Sequence, residues 1–225
     1  MELYIKGYFI QELPNRFLCL VRVKEEVCEC YVASSARLGN FIEASNREVL
    51  LKPTKPGGRT KFVLVAIKTK TSYELLNLPM VNRLLHQKLE KTYDRDKLQC
   101  EKKINDKCKV DLFVDANPPI IYEAKTVLSR DKTVVFPSIK GERSIRQLKE
   151  FERCLAIGWK VRYCIFVLSE NVNKIELNPE YKDFSDAFLA CSEAGMETEV
   201  FRVKWDGEKF YARKYSKLKQ SLNNM

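Results

Sequence analysis

The residues that carry the clearest chemical signal lie in one stretch, Val110-Asp111-Leu112-Phe113-Val114-Asp115-Ala116-Asn117-Pro118-Pro119-Ile120-Ile121-Tyr122-Glu123-Ala124-Lys125. Two strand-like runs flank Asn117-Pro118-Pro119, so a hairpin is the simplest reading. Alternate residues of a strand share a face, which puts Glu123 and Lys125 on one side, about 7 Å apart. A loop centred on Asn117 pairs Asp111 with Glu123, their Cβ atoms roughly 5 Å apart. Opposed like charges cost on the order of half a kcal/mol and call for a cation. Mg²⁺ fits, being a hard ion held by one or two carboxylates with waters and phosphate oxygens, and Lys125 would orient a hydrolytic water or steady developing charge. The implied chemistry is phosphodiester hydrolysis, with Asp111, Glu123 and Lys125 catalytic and Asp111 and Glu123 holding the metal. The bland alternative is a solvated strand face with a weak ion pair. A shift of one residue in the loop would turn Asp111 away from Glu123.

The elements that must position these residues change style along the chain. Up to about residue 70, Phe17 to Val23, Val27 to Val32, Val49 to Leu51 and Phe62 to Ile67 read as short strands punctuated by Pro53, Pro56, Gly57 and Gly58. Their size and number suit a small barrel such as the OB-fold. After about residue 72, Asn82 to Lys91 carries Leu84, Leu85 and Leu89 on a helical stripe. Strands are expected at 110–115, 120–127, 161–168 and 198–204, and helices at about 143–157 and 181–194. The first of these helices is amphipathic through Ile145, Leu148, Phe151, Cys154 and Leu155, with Gly158 placed to end it. The expected architecture is α+β: a barrel domain over 1–78 and a mixed α/β sheet flanked by helices over 79–225. Cleavage by protease is expected near 70–80 or in the charged 91–109 stretch.

Composition narrows the classes. The chain has 225 residues, 45% hydrophobic, enough for a large core, and its formal charge of +10 favours polyanionic partners. No apolar run is long enough for a membrane helix, and the first residues lack the pattern of a secretory signal, so a soluble cytoplasmic protein without a membrane partner is expected. Eight cysteines show no C-x-x-C spacing and His86 is the single histidine. A Cys/His zinc site or a His-centred triad therefore has almost no material. Cys28 and Cys30 fall on one strand face, where two buried small hydrophobes are the commoner explanation. Nothing in the sequence points to a homo-oligomer.

Six short motifs in order are similar to the sugar fermentation stimulation protein family: Asn15-Arg16-Phe17-Leu18, Asn82-Arg83-Leu84, Val110-Asp111-Leu112-Phe113, Tyr122-Glu123-Ala124-Lys125-Thr126, Phe136-Pro137 and Glu142-Arg143. The resemblance implies an N-terminal OB-like β-barrel, a C-terminal PD-(D/E)xK nuclease-like domain and DNA binding. Carried over by position, Asp111 matches the first strand carboxylate, and Glu123 with Lys125 matches the E-x-K pair. The chain also departs from the family. Gln87 stands where a helical Glu is usual, with Glu90 one turn along the same face. Ser138 replaces an Asp after Phe136-Pro137, and Ala33-Ser34-Ser35-Ala36 replaces a Pro-Asn-Thr-Gly turn. Any Mg²⁺ is expected to bind weakly.

DNA is the expected partner, gripped mainly through phosphates. Arg143 and Arg146, beside Glu142 at the start of the amphipathic helix, are candidate phosphate contacts, since free N–H groups there already favour anions. An ordinary solvated first turn is the alternative. Near the C-terminus, Arg213, Lys214, Lys217 and Lys219 are interleaved with aromatics, a pattern suited to a backbone-tracking surface; core-facing aromatics beside a soluble edge would look the same. Arg16 completes the candidate contacts. The rival functions are a catalytically inactive DNA-binding regulator and a carbohydrate-related binding protein.

Overall fold

A computed structural model of the chain describes residues 4–34 and 37–215. Strands β1 (Ile5–Glu12), β2 (Leu18–Val23), β3 (Glu26–Val32), β4 (Glu48–Pro53) and β5 (Phe62–Lys68) form a sheet that a parallel β3–β5 pairing closes into a barrel. β6 (Tyr73–Leu75) adds to β5. Alternation along these strands fills the interior with Cys19, Val21, Cys30, Val49, Leu51, Leu64 and Ile67. Cys28 is buried in the same core, in keeping with the expected small-hydrophobe role. Gly7 of β1 has a packing reason: a Cβ there would lie 2.7 Å from Val21 Cγ1 and 2.9 Å from the Arg22 carbonyl oxygen.

The second half runs α1 (Pro79–Leu89), β7 (Leu98–Cys100), β8 (Lys103–Asn105), β9 (Cys108–Lys109), β10 (Leu112–Val114), β11 (Ile120–Val127), β12 (Thr133–Phe136), α2 (Glu142–Ala156), β13 (Lys160–Val167), β14 (Lys174–Leu177), α3 (Lys182–Glu193), β15 (Glu197–Trp205) and β16 (Phe210–Lys214). Its main sheet has the order β16-β15-β13-β11-β10-β7, with β11, β13 and β15 parallel and antiparallel strands outside them. This is the mixed sheet flanked by helices that the sequence leads one to expect.

The two faces of that sheet are covered differently. Tyr122, Cys164, Phe166 and Phe201 pack with Leu84 and Leu85 of α1. Ile121, Tyr163, Ile165 and Val200 pack with Leu148 and Phe151 of α2 and with Phe184 and Phe188 of α3. α2 ends as its sequence dictates: Gly158 adopts φ +85°, its N–H bonds the Leu155 carbonyl, and the Trp159 N–H bonds that of Cys154.

Barrel and sheet also share a core. Leu50, Val65, Ala66 and Leu75 of the barrel belong to the same buried cluster as Leu84, Leu112 and Phe201. Tyr4 and Tyr73 pack edge-on against Trp205, with centroids 5.6 and 5.8 Å away. Across the junction, Thr71 donates to Glu170 at 2.7 Å and the Glu170 N–H donates to Glu74 at 2.9 Å. Among the described residues no helix is long and apolar enough to cross a membrane, and all eight cysteines are free.

Candidate active site and nucleic-acid interface

The site is built where β10 meets β11. Leu112 pairs with Tyr122, Phe113 with Ile121 and Val114 with Ile120, so the same register carried one step further opposes Asp111 to Glu123. Asp111 itself lies just before β10, and its carboxylate finishes the ladder. Oδ2 accepts the Ala124 N–H at 2.8 Å, and Oδ1 accepts from Asn82 Nδ2 at 3.0 Å. One carboxylate is thereby locked to the backbone of β11 and to the start of α1.

Glu123 sits in the middle of a central strand, 3% exposed, with Tyr163 of β13 as its parallel neighbour. A charged group is seldom placed there without a partner. Its Oε1 accepts from Lys125 Nζ at 2.5 Å, while Oε2 is buried and has no hydrogen-bond partner. Burial pushes the Glu123 carboxyl up, Lys125 pulls it back and the charge of Asp111 raises it further, leaving it at about 7.

Lys125 also donates to Gln147 Oε1 at 3.1 Å, and Gln147 Nε2 donates to the Lys109 carbonyl at 3.3 Å. Gln147 thus holds the ammonium against the carboxylate from α2. It lies beside Leu148 on the buried side of that helix. Among the described residues no three His, Cys, Asp or Glu gather as a metal site. A cation between Asp111 and Glu123 would need water or phosphate oxygens for the rest of its shell.

Gln147 has a second neighbour. With Arg143, Arg146, Lys109, Lys149 and Arg153 it lines a cleft of about 630 Å³ alongside α2. The acid there, Glu150, is already engaged by Arg153 at 2.5 Å and Asn105 at 3.0 Å. The cleft is therefore cationic and adjoins the Lys125–Glu123 pair through one side chain.

Other expected residues fall elsewhere. Gln87 lines a cleft with Tyr122 and Arg162 on the α1 side of the sheet, opposite to Glu123. Glu90 pairs with Arg95 at 3.0 Å and lies 3.6 Å from His86. Neither joins the carboxylates, because the α1 residue that reaches Asp111 is Asn82, on a different side of the helix from Gln87. Glu142 is an exposed first-turn residue of α2. Ser34 and Ser138, from the two departing loops, line one cavity of about 210 Å³ with Thr126, next to Lys125.

Of the C-terminal cations, the described Arg213 and Lys214 form no continuous track with α2. Arg213 and Lys214 lie on β16, three strands from β11, or about 14 Å at the usual spacing. Lys214 is paired with Glu199 at 2.8 Å, and the neighbouring Phe201 and Phe210 are core residues rather than a stacking surface. Lys217 and Lys219 lie outside the described residues. Arg16 is on the barrel, 4.6 Å from the Phe17 ring centroid. Asn82 and Gln147 are the site residues that spacing alone does not single out. A polar residue on the buried side of an amphipathic helix is the available sign for Gln147.

Comparison with known proteins agrees with this architecture. Residues 12–76 match the family model described as the SfsA N-terminal OB domain, and residues 76–209 match the sugar fermentation stimulation protein RE domain. A sugar fermentation stimulation protein homolog of Clostridium beijerinckii is 26% identical over 218 residues, covering 94% of this chain and 95% of its own. The homolog of Methanothermobacter thermautotrophicus is 24% identical over 212 residues, covering 90% and 87%. The structure of Pyrococcus furiosus SfsA in complex with Ca²⁺ superposes with a TM-score of 0.77 at 20% identity, over 95% of this chain and 96% of that one. With both family models matched in order and the second alone spanning more than half of its length, the chain belongs to the sugar fermentation stimulation protein family.

Proposed function

We propose that this protein binds DNA through the cationic cleft of α2 and hydrolyses phosphodiester bonds at Asp111, Glu123 and Lys125 with a divalent cation. The observation that carries the proposal is the buried, unpartnered Oε2 of Glu123 beside Lys125, with Gln147 linking that pair to the cleft. A buried carboxyl held near neutrality with a bare oxygen is suited to a cation. The Ca²⁺ named for the Pyrococcus furiosus relative supports a divalent ion. Such an ion, Mg²⁺ in the simplest case, would polarise a phosphoryl oxygen and make a bound water more acidic.

The protein's own groups divide the work. Asp111, fixed by Asn82 and the Ala124 N–H, keeps lone pairs for a ligand. The Lys125 ammonium orients the attacking water or offsets charge on phosphorus, and Gln147 keeps it in place. Arg143 and Arg146 hold flanking phosphates. A second reading, DNA binding without turnover, is favoured by the lack of a third acidic ligand among the described residues.

Incubation of the protein with plasmid, linear duplex and single-stranded DNA in Mg²⁺, Mn²⁺ or chelator tests both readings. Metal-dependent cleavage is expected. Asp111→Asn should abolish the rise in melting temperature with added metal, whereas Lys125→Ala should keep that rise and lose cleavage, because an ammonium cannot ligate a cation. Replacing Arg143 and Arg146 by Ala should reduce the salt slope of binding by roughly 0.9 for each phosphate that these side chains neutralise. Retardation without cleavage in any metal would select the second reading. No retardation at low salt would remove DNA binding altogether.

A further inference from the structure

The barrel carries a feature that the α2 cleft does not use. Phe17 and Tyr31 are exposed by 38% and 41%, with their rings inclined by only 20° and their centroids 6.4 Å apart. Isolated exposed aromatics are ordinary, but this pair borders a cavity of about 340 Å³, within the range of small-ligand clefts. The cavity lies between the 13–17 loop, which contributes Asn15 and Phe17, and the 54–61 loop, which contributes Thr54, Arg59 and Thr60.

Both loops are held in shape. Asn15 Oδ1 accepts the Phe17 N–H at 3.1 Å, and the Asn15 carbonyl accepts the Leu18 N–H at 2.9 Å. Across the other loop the Thr54 N–H bonds the Lys61 carbonyl at 3.0 Å, and the Thr54 hydroxyl donates to the Thr60 carbonyl. The site is therefore preformed, which lowers the ordering cost of binding.

Its charge limits what it takes. Arg16 lies 4.6 Å from the Phe17 centroid, Arg59 stands on the opposite loop, and no carboxylate lines the cavity among the described residues. Aromatic faces flanked by cations suit a flat base with phosphates on either side. A base inside a duplex already has both faces covered, so only an unstacked base can use these rings.

We propose that the Phe17–Tyr31 cavity of the barrel binds an unstacked nucleobase, giving the protein a preference for single-stranded DNA. This rests on the DNA-binding reading above and adds a second point of attachment on a different domain.

Fluorescence anisotropy of the full chain, with labelled oligothymidylate of about fifteen nucleotides and a blunt duplex of equal length, tests it. The Phe17→Ala, Tyr31→Ala double variant should bind the single strand about ten-fold or more weakly, given the usual worth of a stacked base. Duplex affinity should change less than about two-fold, and the salt slope should stay the same because the rings carry no charge. The Phe17→Tyr, Tyr31→Phe variant should bind like the parent. Unchanged single-strand affinity in the double alanine variant would overturn the proposal, as would competition by a neutral maltooligosaccharide. Duplex binding without single-strand binding would defeat this inference alone, whereas no binding of either DNA at low salt would defeat it together with the reading it rests on.

Discussion

Glu123 is the residue on which stability and chemistry meet. Its carboxyl is held at about 7, against an ordinary value of 4.5, chiefly by burial. Between those two values the folded protein keeps a proton that the unfolded chain has released. Its contribution to stability is therefore lost as pH rises from about 4.5 through 7, by no more than ~3 kcal/mol. Glu123→Gln should leave stability near pH 5 almost unchanged and raise that of the metal-free protein at pH 8 by about 1–3 kcal/mol. Urea melts at the two pH values measure this, and equal stability of variant and parent at pH 8 would show that the ionised carboxylate is fully compensated. A bound divalent cation should cancel the same pH dependence. The residue chemistry is legible in the sequence through the family resemblance, which singles out Asp111, Glu123 and Lys125, because Glu-x-Lys in a strand is by itself common. Gln147 and Asn82 are less legible, since their role depends on which neighbour they touch.

At the scale of elements, the hairpin is readable from sequence because Asn117-Pro118-Pro119 marks its loop, whereas the choice between a centre at Asn117 and one residue away is made by the ladder, in which Val114 pairs with Ile120. The order of strands and helices follows from apolar periodicity. The rotation of α1 is not readable: Asn82 and Gln87 are both polar, and only packing of Leu84 and Leu85 on the sheet selects which one faces Asp111. The place of Gly7 in β1 is likewise explained only by tertiary contact, its close approach to β2. Gly7→Ala should destabilise the protein by about 1–3 kcal/mol, because a methyl group there meets a ladder carbonyl as well as Val21. A thermal melt indistinguishable from that of the parent would show that the strands can separate to admit it.

From its packing the whole molecule is expected to unfold as one cooperative body. Barrel and sheet share an apolar cluster, and Trp205 packs against Tyr4 and Tyr73 from the barrel side. Trp205→Ala should cost about 2–4 kcal/mol and lower the stability of both halves together. Calorimetry should give one transition in parent and variant, and a split into two in the parent would mean the shared cluster contributes little coupling. The expectation of early proteolysis near 70–80 is revised for the same reason: Glu74, Leu75 and Leu76 are buried. The exposed, charged 91–109 stretch remains the place to look for the first cut.

Local turn chemistry and apolar periodicity are enough for the class of architecture, the hairpin around Asn117 and the amphipathic helix beside it, and the ladder then selects the register that opposes Asp111 to Glu123. Long-range packing is what makes Gln147 join Lys125 to the α2 cleft, turns Gln87 to the other side of the sheet, and sets Arg213 and Lys214 three strands away. It also brought Phe17 and Arg59 from separate loops to one cavity. Each of these depends on how a helix is rotated, in what order strands join, or where a barrel closes, and a single sequence fixes none of them until long-range apolar contacts are made.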